Sequence, residues 1–229
     1  ERNISEQFLT TLSHDLKTPL TVAKFAAQVI EKKNVSLTED KLKNFSGKII
    51  DNINRVDGLI SEILDSTRLN NCKDQHLEFI HFDMLKVTNE IIENFIAIAG
   101  SRFRFVVVGD PNGYWCLSAV KRILENLITN AVKYGDPNSL ITITVIGKEA
   151  HLELSVHNSG NPISESDQSI IFNYLQRTSY AKMSGHEGWG LGLTIVKGLT
   201  ELHCGNINVT SSYELGTTFK IILPRDCRR

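Results

Sequence analysis

The hydrophobic residues of this chain change their spacing near residue 77, and that change limits what the chain can fold into. Before it, apolar side chains recur at steps of three and four residues, in one stripe over residues 8–30 that includes Leu20 and in a second over 42–67. This is the spacing of helices that bury one face. The intervening segment Ser36–Asp40 carries the hydroxyl and carboxylate groups that begin a helix. The pattern predicts a helical hairpin over residues 1–71.

Two such helices have one apolar face each and little of their own to pack it against. A second copy of the hairpin would complete a four-helix bundle in which these apolar faces are buried. We therefore expect a homodimer that forms through residues 1–71.

After residue 77 the spacing becomes that of an α+β domain. Leu152, Leu154 and Val156 alternate with polar neighbours, as in a strand with one buried face. Further strands are predicted at 102–108, 141–146, 206–211 and 218–223, and helices at 83–99, 120–131 and 193–202. Helices grouped on one face of a mixed or antiparallel sheet are the simplest packing of these elements. We expect this domain to span 77–229, after a polar linker at 72–76.

The charge balance argues against a nucleic-acid-binding protein. The chain has 25 Lys and Arg residues against 26 Asp and Glu residues, so its bulk charge does not attract a polyanion. No apolar run approaches the roughly 18 residues of a membrane helix. The cysteines show no paired spacing, so we expect reduced thiols and a cytoplasmic segment. The first methionine is Met84, so we expect the segment to belong to a longer protein.

One histidine does not fit the apolar stripe of the first predicted helix. His14 lies about 180° around the helix from that stripe, which predicts an exposed imidazole. A lone exposed histidine is most often an ordinary surface residue, but here Asp15 is adjacent and Pro19, which is expected to kink the helix, follows soon afterwards. A neutral imidazole can act as a nucleophile, and a neighbouring carboxylate can orient it and accept its proton. We interpret His14 and Asp15 as a candidate nucleophile and base.

Three polar residues share one ridge of the helix predicted around 120–131. Asn126 and Asn130 are four residues apart, and Lys133 follows three residues later. Asparagine is a mediocre helix former, so two on one ridge indicate a function, with chance surface polarity as the simple alternative. Carboxamide oxygens are hard ligands that suit Mg²⁺, and a lysine offsets phosphate charge. The ridge predicts a site for magnesium and phosphate.

A glycine cluster precedes the last predicted helix, with Gly188, Gly190 and Gly192 at alternate positions. Glycine lets a backbone approach phosphate closely, and a helix N-terminus favours anions. The spacing is neither the Gly-x-Gly-x-x-Gly of a dinucleotide fold nor the Gly-Lys-Ser/Thr of a P-loop. The cluster is therefore a candidate phosphate-binding segment of another kind.

These segments resemble, in their order along the chain, the motifs of sensor histidine kinases. The octet Ser13–Leu20 matches the H-box of that family at every position. The resemblance implies that His14 is the phosphoacceptor and Asp15 its general base. It also implies that Thr18 positions water for the dephosphorylation of a partner protein.

Residues 124–134 resemble the N-box of the same family. The resemblance implies that Asn130, helped by Asn126, holds Mg²⁺, and that Lys133 and Tyr134 contact the phosphates and nucleotide of ATP. The implied fold of this domain is the α/β sandwich of the GHKL, or Bergerat, type.

The glycine cluster resembles the G2-box, Gly216–Thr217 resembles the G3 element, and Ile171–Phe172 with Arg177 resembles the F-box. The segment between the F-box and the G2-box is expected to cover ATP as a lid. Outside the N-box, the ATP-binding residues implied by the resemblance are Asn158, Gly160, Ile163, Arg177, Gly188, Gly190, Leu191, Gly192, Leu193 and Thr217.

The G1-box departs from the family pattern. Asn158 stands where the family has an aspartate that accepts a hydrogen bond from the adenine amino group, and Pro162 replaces the second glycine. A neutral acceptor binds less strongly than a charged one, so we expect ATP to bind about tenfold more weakly than with aspartate. The Asn158 amide can also donate, which leaves discrimination against guanine nucleotides open.

The resemblance implies a protein-histidine kinase of a two-component system, with Mg-ATP as phosphoryl donor. It further implies transfer to an aspartate of a response-regulator receiver domain, and an upstream sensor domain. Two alternatives stay open: a dimeric scaffold with a decayed nucleotide site, and a relative in which phosphatase activity dominates. An ATPase of the chaperone and topoisomerase class has no place for the hairpin. Membrane anchorage of the longer protein, the stimulus, and phosphorylation within or across the dimer are left open.

Overall fold

The computed structural model describes residues 2–32, 38–70, 78–173 and 190–228, with hairpin side chains described for 12, 13, 16–32 and 38–61. The chain divides into two compact units, Glu1–Asp65 and Ser66–Arg229, and each is described by itself. None of the helices in the described ranges is long and apolar enough to cross a lipid bilayer.

The first unit contains the predicted helical hairpin. Helix α1 spans Arg2–Glu31 and helix α2 spans Glu39–Asn70. Pro19 lies inside α1 without ending it, and the Thr21 hydroxyl donates to the Lys17 carbonyl at 2.7 Å in the same stretch. The long three- and four-residue periodicity thus predicted both helices correctly.

Among the α1 side chains that the structure describes, the buried face is narrower than the predicted stripe. Pro19, Ala23 and Ala26 are buried, and they follow one another at four- and three-residue steps. Leu20, which the periodicity places in the buried stripe, is 50% exposed in a single chain. Several other large apolar side chains of the hairpin are also exposed, namely Val22, Phe25, Leu42, Ile50, Ile53 and Ile60. One copy of the hairpin leaves much apolar surface uncovered.

The second unit has the predicted α+β composition. Its described elements are β1 (Ile80–Asp83), α3 (Met84–Ala99), β2 (Phe103–Val108), β3 (Asn112–Trp115), α4 (Leu117–Tyr134), β4 (Ile141–Gly147), β5 (His151–Asn158), α5 (Glu165–Gln168), α6 (Gly192–Leu202), β6 (Asn206–Ser212) and β7 (Gly216–Pro224). Helix α3 ends as predicted at Gly100, whose N–H donates to the carbonyl of Ile96. Its N-terminus is capped by Asp83, which accepts the N–H of Leu85.

A five-stranded mixed sheet forms one layer of this unit. The strand order is β2-β4-β5-β7-β6, with β2 and β4 parallel and the other neighbours antiparallel. Alternate residues of β5, including Leu152, Leu154 and Val156, are buried. They share one hydrophobic core with buried residues of α3, α4 and α6. The helices form the second layer of an α/β sandwich.

Three short elements were not predicted. Strands β1 and β3 form a separate two-stranded sheet, and each has 4 residues, too few to establish an alternating pattern. Helix α5 has 4 residues and lacks buried side chains, so it has no apolar stripe that could be read from the sequence.

Candidate functional site

The asparagine ridge lies at the polar edge of α4. The opposite face of this helix is buried in the core through Val120, Ile123, Leu124, Leu127, Ile128 and Ala131. Asn126 and Asn130 are half-buried, and Lys133 is exposed. The Asn126 amide Nδ2 donates to the Arg122 carbonyl at 2.8 Å. Because the nitrogen of the carboxamide faces the Arg122 carbonyl, the carboxamide oxygen points away from it.

The oxygen of Asn126 faces the N-terminus of α6. A Cβ atom placed on Gly192 would lie 2.7 Å from Asn126 Oδ1. Gly192 begins α6, where the first backbone N–H groups have no partner within the helix. Gly190 has φ 72°, a conformation that favours glycine, and Leu191 is fully buried and anchors the segment. The structure thus brings an amide oxygen and an anion-favouring helix end together.

The C-terminal end of α4 packs against the segment that follows β5. The N–H of Asp136 donates to the Ser159 carbonyl at 2.8 Å, and Gly135 forms a β-bridge with Gly160. Gly160 has φ 146°, and a Cβ there would lie 2.8 Å from the Tyr134 carbonyl. Only glycine permits this approach of the two backbones. The N-box helix and the G1 segment are therefore joined.

Strand β7 closes the site beside Asn158. Thr217 is the direct partner of Asn158 in the β5–β7 pairing, and both residues are 5% exposed. Gly216 has φ 69°, and a Cβ on it would lie 2.5 Å from the Asn158 carbonyl oxygen. Ile163 is held close by, because its N–H donates to Ser211 Oγ. The predicted residues Asn158, Gly160, Ile163 and Thr217 thus belong to one region.

Three further residues support this region and were not predicted. Arg102 donates to the carbonyls of Asp136 at 2.8 Å and Val132 at 3.2 Å, which caps the end of α4. Gln168 donates to the carbonyls of Ile163 at 2.8 Å and Ser211 at 3.1 Å. Ser211 also bonds to Thr217. No local spacing marks Arg102, Gln168 or Ser211, because each of them has a partner at least 34 residues away in the chain.

Some predicted site residues lie outside the described part of the chain. These are Arg177, Gly188 and the side chains of His14 and Asp15; the backbone of His14 lies within α1. Thr18 is exposed, Tyr134 is half-buried, and Leu193 packs against the core.

Among the described residues, no three His, Cys, Asp or Glu side chains are grouped as metal ligands. A magnesium site here would depend on carboxamide oxygens, which fits the hard-ligand preference of that ion.

His203 connects the end of α6 to the start of α4. The Cys116 N–H donates to His203 Nε2 at 3.0 Å. Nε2 therefore carries no proton, and Nδ1, which lies 2.7 Å from the Leu199 carbonyl, donates to it. The ring is fully buried, and burial lowers the pKa of His203 below its ordinary value of 6.5, against the opposing effect of the Leu199 bond. The imidazole is neutral in the folded unit.

We expect the second unit to lose stability as the pH falls below 6.5, the ordinary pKa of histidine. Because the folded pKa of His203 is lowered, the unfolded chain binds the extra proton. The contribution of neutral His203 to the free energy of unfolding is complete above pH 6.5. It is lost as the pH falls towards the pKa of His203 in the folded unit. One proton gives a slope of at most about 1.4 kcal/mol per pH unit. Urea unfolding, followed through the buried Trp115, measures the free energy of unfolding across this range.

His203→Gln supplies the comparison, because glutamine does not titrate. We expect the slope between about pH 5 and pH 7 to be smaller in this variant. The pKa of Glu153 is lowered from 4.5 to about 2 by its bonds to Lys148 and Lys220, so its own contribution to the slope begins near pH 5 and is the same with or without His203. An unchanged slope in His203→Gln would show that another group causes the pH dependence.

Two protein families match separate parts of the chain. Residues 4–72 match the His Kinase A (phospho-acceptor) domain. Residues 117–226 match the family of histidine kinase-, DNA gyrase B- and HSP90-like ATPases. The first match covers the hairpin, and the second covers α4 to β7, which carry the candidate site.

Sensor histidine kinase YcbM of Bacillus subtilis is 31% identical over 224 residues, covering 96% of this chain and 71% of YcbM. Adaptive-response sensory kinase SasA of Synechococcus elongatus is 28% identical, covering 96% of this chain and 59% of SasA. The solved complex of histidine kinase ThkA with response regulator protein TrrA shares the fold, with a TM-score of 0.70 at 23% identity, covering 98% of this chain and 63% of that one. The chain thus spans only part of each relative.

A phosphoacceptor hairpin followed by a GHKL-type ATP-binding sandwich defines the catalytic core of a protein-histidine kinase. This chain belongs to the sensor histidine kinases of two-component systems.

Proposed function

We propose that this chain transfers the γ-phosphoryl group of Mg-ATP to His14 and then to an aspartate of a response-regulator receiver domain. The observation that carries the nucleotide half of this proposal is the approach of Asn126 Oδ1 to Gly192 at the start of α6. A hard oxygen ligand and a helix N-terminus at one place suit a phosphate with its metal ion. The octet Ser13–Leu20 supplies the acceptor half.

The triphosphate end of the site is assigned to α4 and the start of α6. Asn130 and Asn126 would hold Mg²⁺, which supplies positive charge to the phosphate oxygens when bound. Lys133 is exposed on the same ridge, so its ammonium group can reach a phosphate. Tyr134 is assigned to nucleotide contact, as are Gly188, Gly190, Leu191, Gly192, Leu193 and the F-box residue Arg177.

The base end is assigned to Asn158, Gly160, Ile163 and Thr217. Burial of Asn158 and Thr217 supports this assignment, because hydrogen bonds to a base discriminate best where water is excluded. The amide of Asn158 carries no charge, so adenine is held less strongly than by a carboxylate.

In the chemical step, a ring nitrogen of His14 attacks the γ-phosphorus. A nitrogen–phosphorus bond forms, the bond from that phosphorus to the bridging oxygen breaks, and ADP leaves. Asp15 accepts the ring proton. Thr18 is exposed on α1. It positions a water molecule for the opposing phosphatase reaction, in which the phosphoryl group on the aspartate of the regulator is hydrolysed.

The proposed partners follow from the hairpin. Its exposed apolar side chains, among them Leu20 and Phe25, support a homodimer in which a second hairpin covers them. The ThkA–TrrA complex supports a receiver domain as phosphoryl acceptor. We assign residues 1–71 to dimerisation and phosphotransfer, 72–76 to a linker and 77–229 to ATP binding. A sensor domain upstream and a cytoplasmic position for this segment complete the proposal.

The alternative is a dimeric scaffold with an impaired nucleotide site, which Asn158 and Pro162 favour. Incubating the chain with Mg²⁺ and γ-labelled ATP separates the two functions. A kinase becomes labelled through a bond that acid hydrolyses and alkali does not, and α-labelled ATP leaves it unlabelled. The label should then pass to a purified receiver domain. Bound ATP without any label, also in the longer protein, would favour the scaffold.

A further inference from the structure

The C-terminal end of α4 is held by an arginine from outside the helix. Arg102, which directly precedes β2, donates from Nη1 to the carbonyl of Asp136 at 2.8 Å and from Nη2 to the carbonyl of Val132 at 3.2 Å. A carbonyl oxygen only accepts, so the direction of both bonds is fixed. The two carbonyls lie on either side of Lys133 and Tyr134, which we assign to phosphate and nucleotide. One guanidinium group thus brackets both residues.

The bond to Val132 completes the cap of this helix. The last four carbonyls of a helix have no partner from a following turn, and helix ends fray where these groups are left without partners. In α4 the carbonyl of Ala131 accepts the N–H of Gly135 at 3.0 Å. The next carbonyl, that of Val132, accepts Nη2 of Arg102. Arg102 therefore holds the final turn of the helix, from which Lys133 projects.

The position of the Lys133 ammonium group depends on that turn. Lys133 is exposed, and within the part of the chain that the structure describes its ammonium group makes no hydrogen bond or ion pair. A lysine has a flexible stem of four carbons, so the backbone at its Cα determines which volume the charge can reach. If the last turn of α4 frays, the ammonium group samples a larger volume, and more conformational entropy is lost when a phosphate orders it.

We infer that Arg102 is a positioning residue for ATP binding, which holds the backbone of residues 132–136 so that Lys133 is in place for the phosphates. The inference rests on the proposed binding of Mg-ATP at this end of α4, and it adds a residue that acts before the nucleotide arrives. The competing explanation is the positive charge of Arg102, which would attract phosphate whether or not the helix end is held. Positioning and charge predict different results for the variants below.

A double-mutant cycle tests whether Arg102 acts through Lys133. The ligand is Mg²⁺ with an ATP analogue that has an imido group between its β- and γ-phosphorus atoms, and its affinity for the 229-residue chain is measured by calorimetry. We expect Arg102→Met to lower this affinity about tenfold. In Lys133→Met, which lacks the ammonium group, the same replacement should lower it less than about threefold, because residues that act through one another are not additive. A tenfold loss in both backgrounds overturns the inference.

Arg102→Lys separates positioning from charge. Lysine keeps the positive charge but lacks the planar fork that reaches two carbonyls at once. We expect this variant also to lose affinity for the analogue, by about fivefold or more. Full affinity in Arg102→Lys would show that charge is sufficient and would overturn the inference. Arg104→Met is the matched control, because it removes an exposed arginine of β2 and should leave the affinity unchanged.

Melting curves establish that each variant is folded at the temperature of the binding measurement. Loss of the helix cap should lower the melting temperature equally with and without Lys133, so the dependence on Lys133 is confined to the affinity. Arg102→Gln, which keeps a donor for one carbonyl, replaces Arg102→Met if that variant does not fold. An unmodified chain that does not bind the analogue overturns the proposed nucleotide site, and the inference with it.

Discussion

Replacing His14 with glutamine abolishes the incorporation of phosphate from γ-labelled ATP and leaves ATP binding unchanged. Glutamine is similar in size and polarity but has no nucleophilic nitrogen, so the attacking group is lost while the helix is preserved. Removal of a nucleophile lowers turnover by orders of magnitude, and we expect labelling to fall at least about a thousandfold. Acid-labile label in the protein and calorimetric binding of ATP are the two measurements.

His81→Gln is the matched control for this experiment. His81 is an exposed histidine of β1 in the second unit, and its replacement should leave the labelling rate unaltered. Label that persists in His14→Gln and is also acid-labile would mean that another histidine accepts the phosphoryl group. Loss of ATP binding in the same variant would mean that the first unit is needed for the nucleotide site to form.

The features that could be predicted from the sequence are those in which neighbouring residues carry the information. Helices α1 and α2 are each at least 30 residues long, so their apolar period repeats many times. The ridge of Asn126, Asn130 and Lys133 also lies within a single helix, and helical geometry alone places these residues together. The alternation of apolar and polar residues in β5 likewise lies within a single strand, so it can be recognised from neighbouring residues.

The features that could not be predicted depend on pairs that only the fold brings together. Ser211 bonds to Ile163, which is 48 residues away in the chain, and Arg102 bonds to Asp136, which is 34 residues away. His203 accepts the N–H of Cys116 across 87 residues. Nothing in the spacing of a single sequence indicates such partners. The extent to which Leu20 is exposed in a single chain could not be predicted either, because periodicity defines an apolar face without indicating whether the same chain or a second copy covers it.

Replacing Gly216 with alanine should destabilise the second unit by about 3 kcal/mol and weaken ATP binding at least about tenfold. The backbone at Gly216 has φ 69°, which strains any residue with a side chain. In addition, the new Cβ would lie 2.5 Å from the carbonyl oxygen of Asn158, so one of the two strands has to move. That shift displaces Asn158 and Thr217, which we assign to the base. Urea unfolding and calorimetry measure the two effects.

Gly100→Ala separates the clash from the backbone strain. Gly100 has φ 74°, close to that of Gly216, but a Cβ there would meet no atom within 4 Å. Its backbone at φ 74°, ψ −176° is a conformation that is essentially restricted to glycine, so its replacement should cost only the strain, about 1–3 kcal/mol, and should leave ATP affinity unchanged. The difference between the two variants is then the effect of the contact with Asn158. Equal destabilisation in both, with ATP affinity retained in Gly216→Ala, would show that the close packing of β7 on β5 does not hold the base end of the site in place.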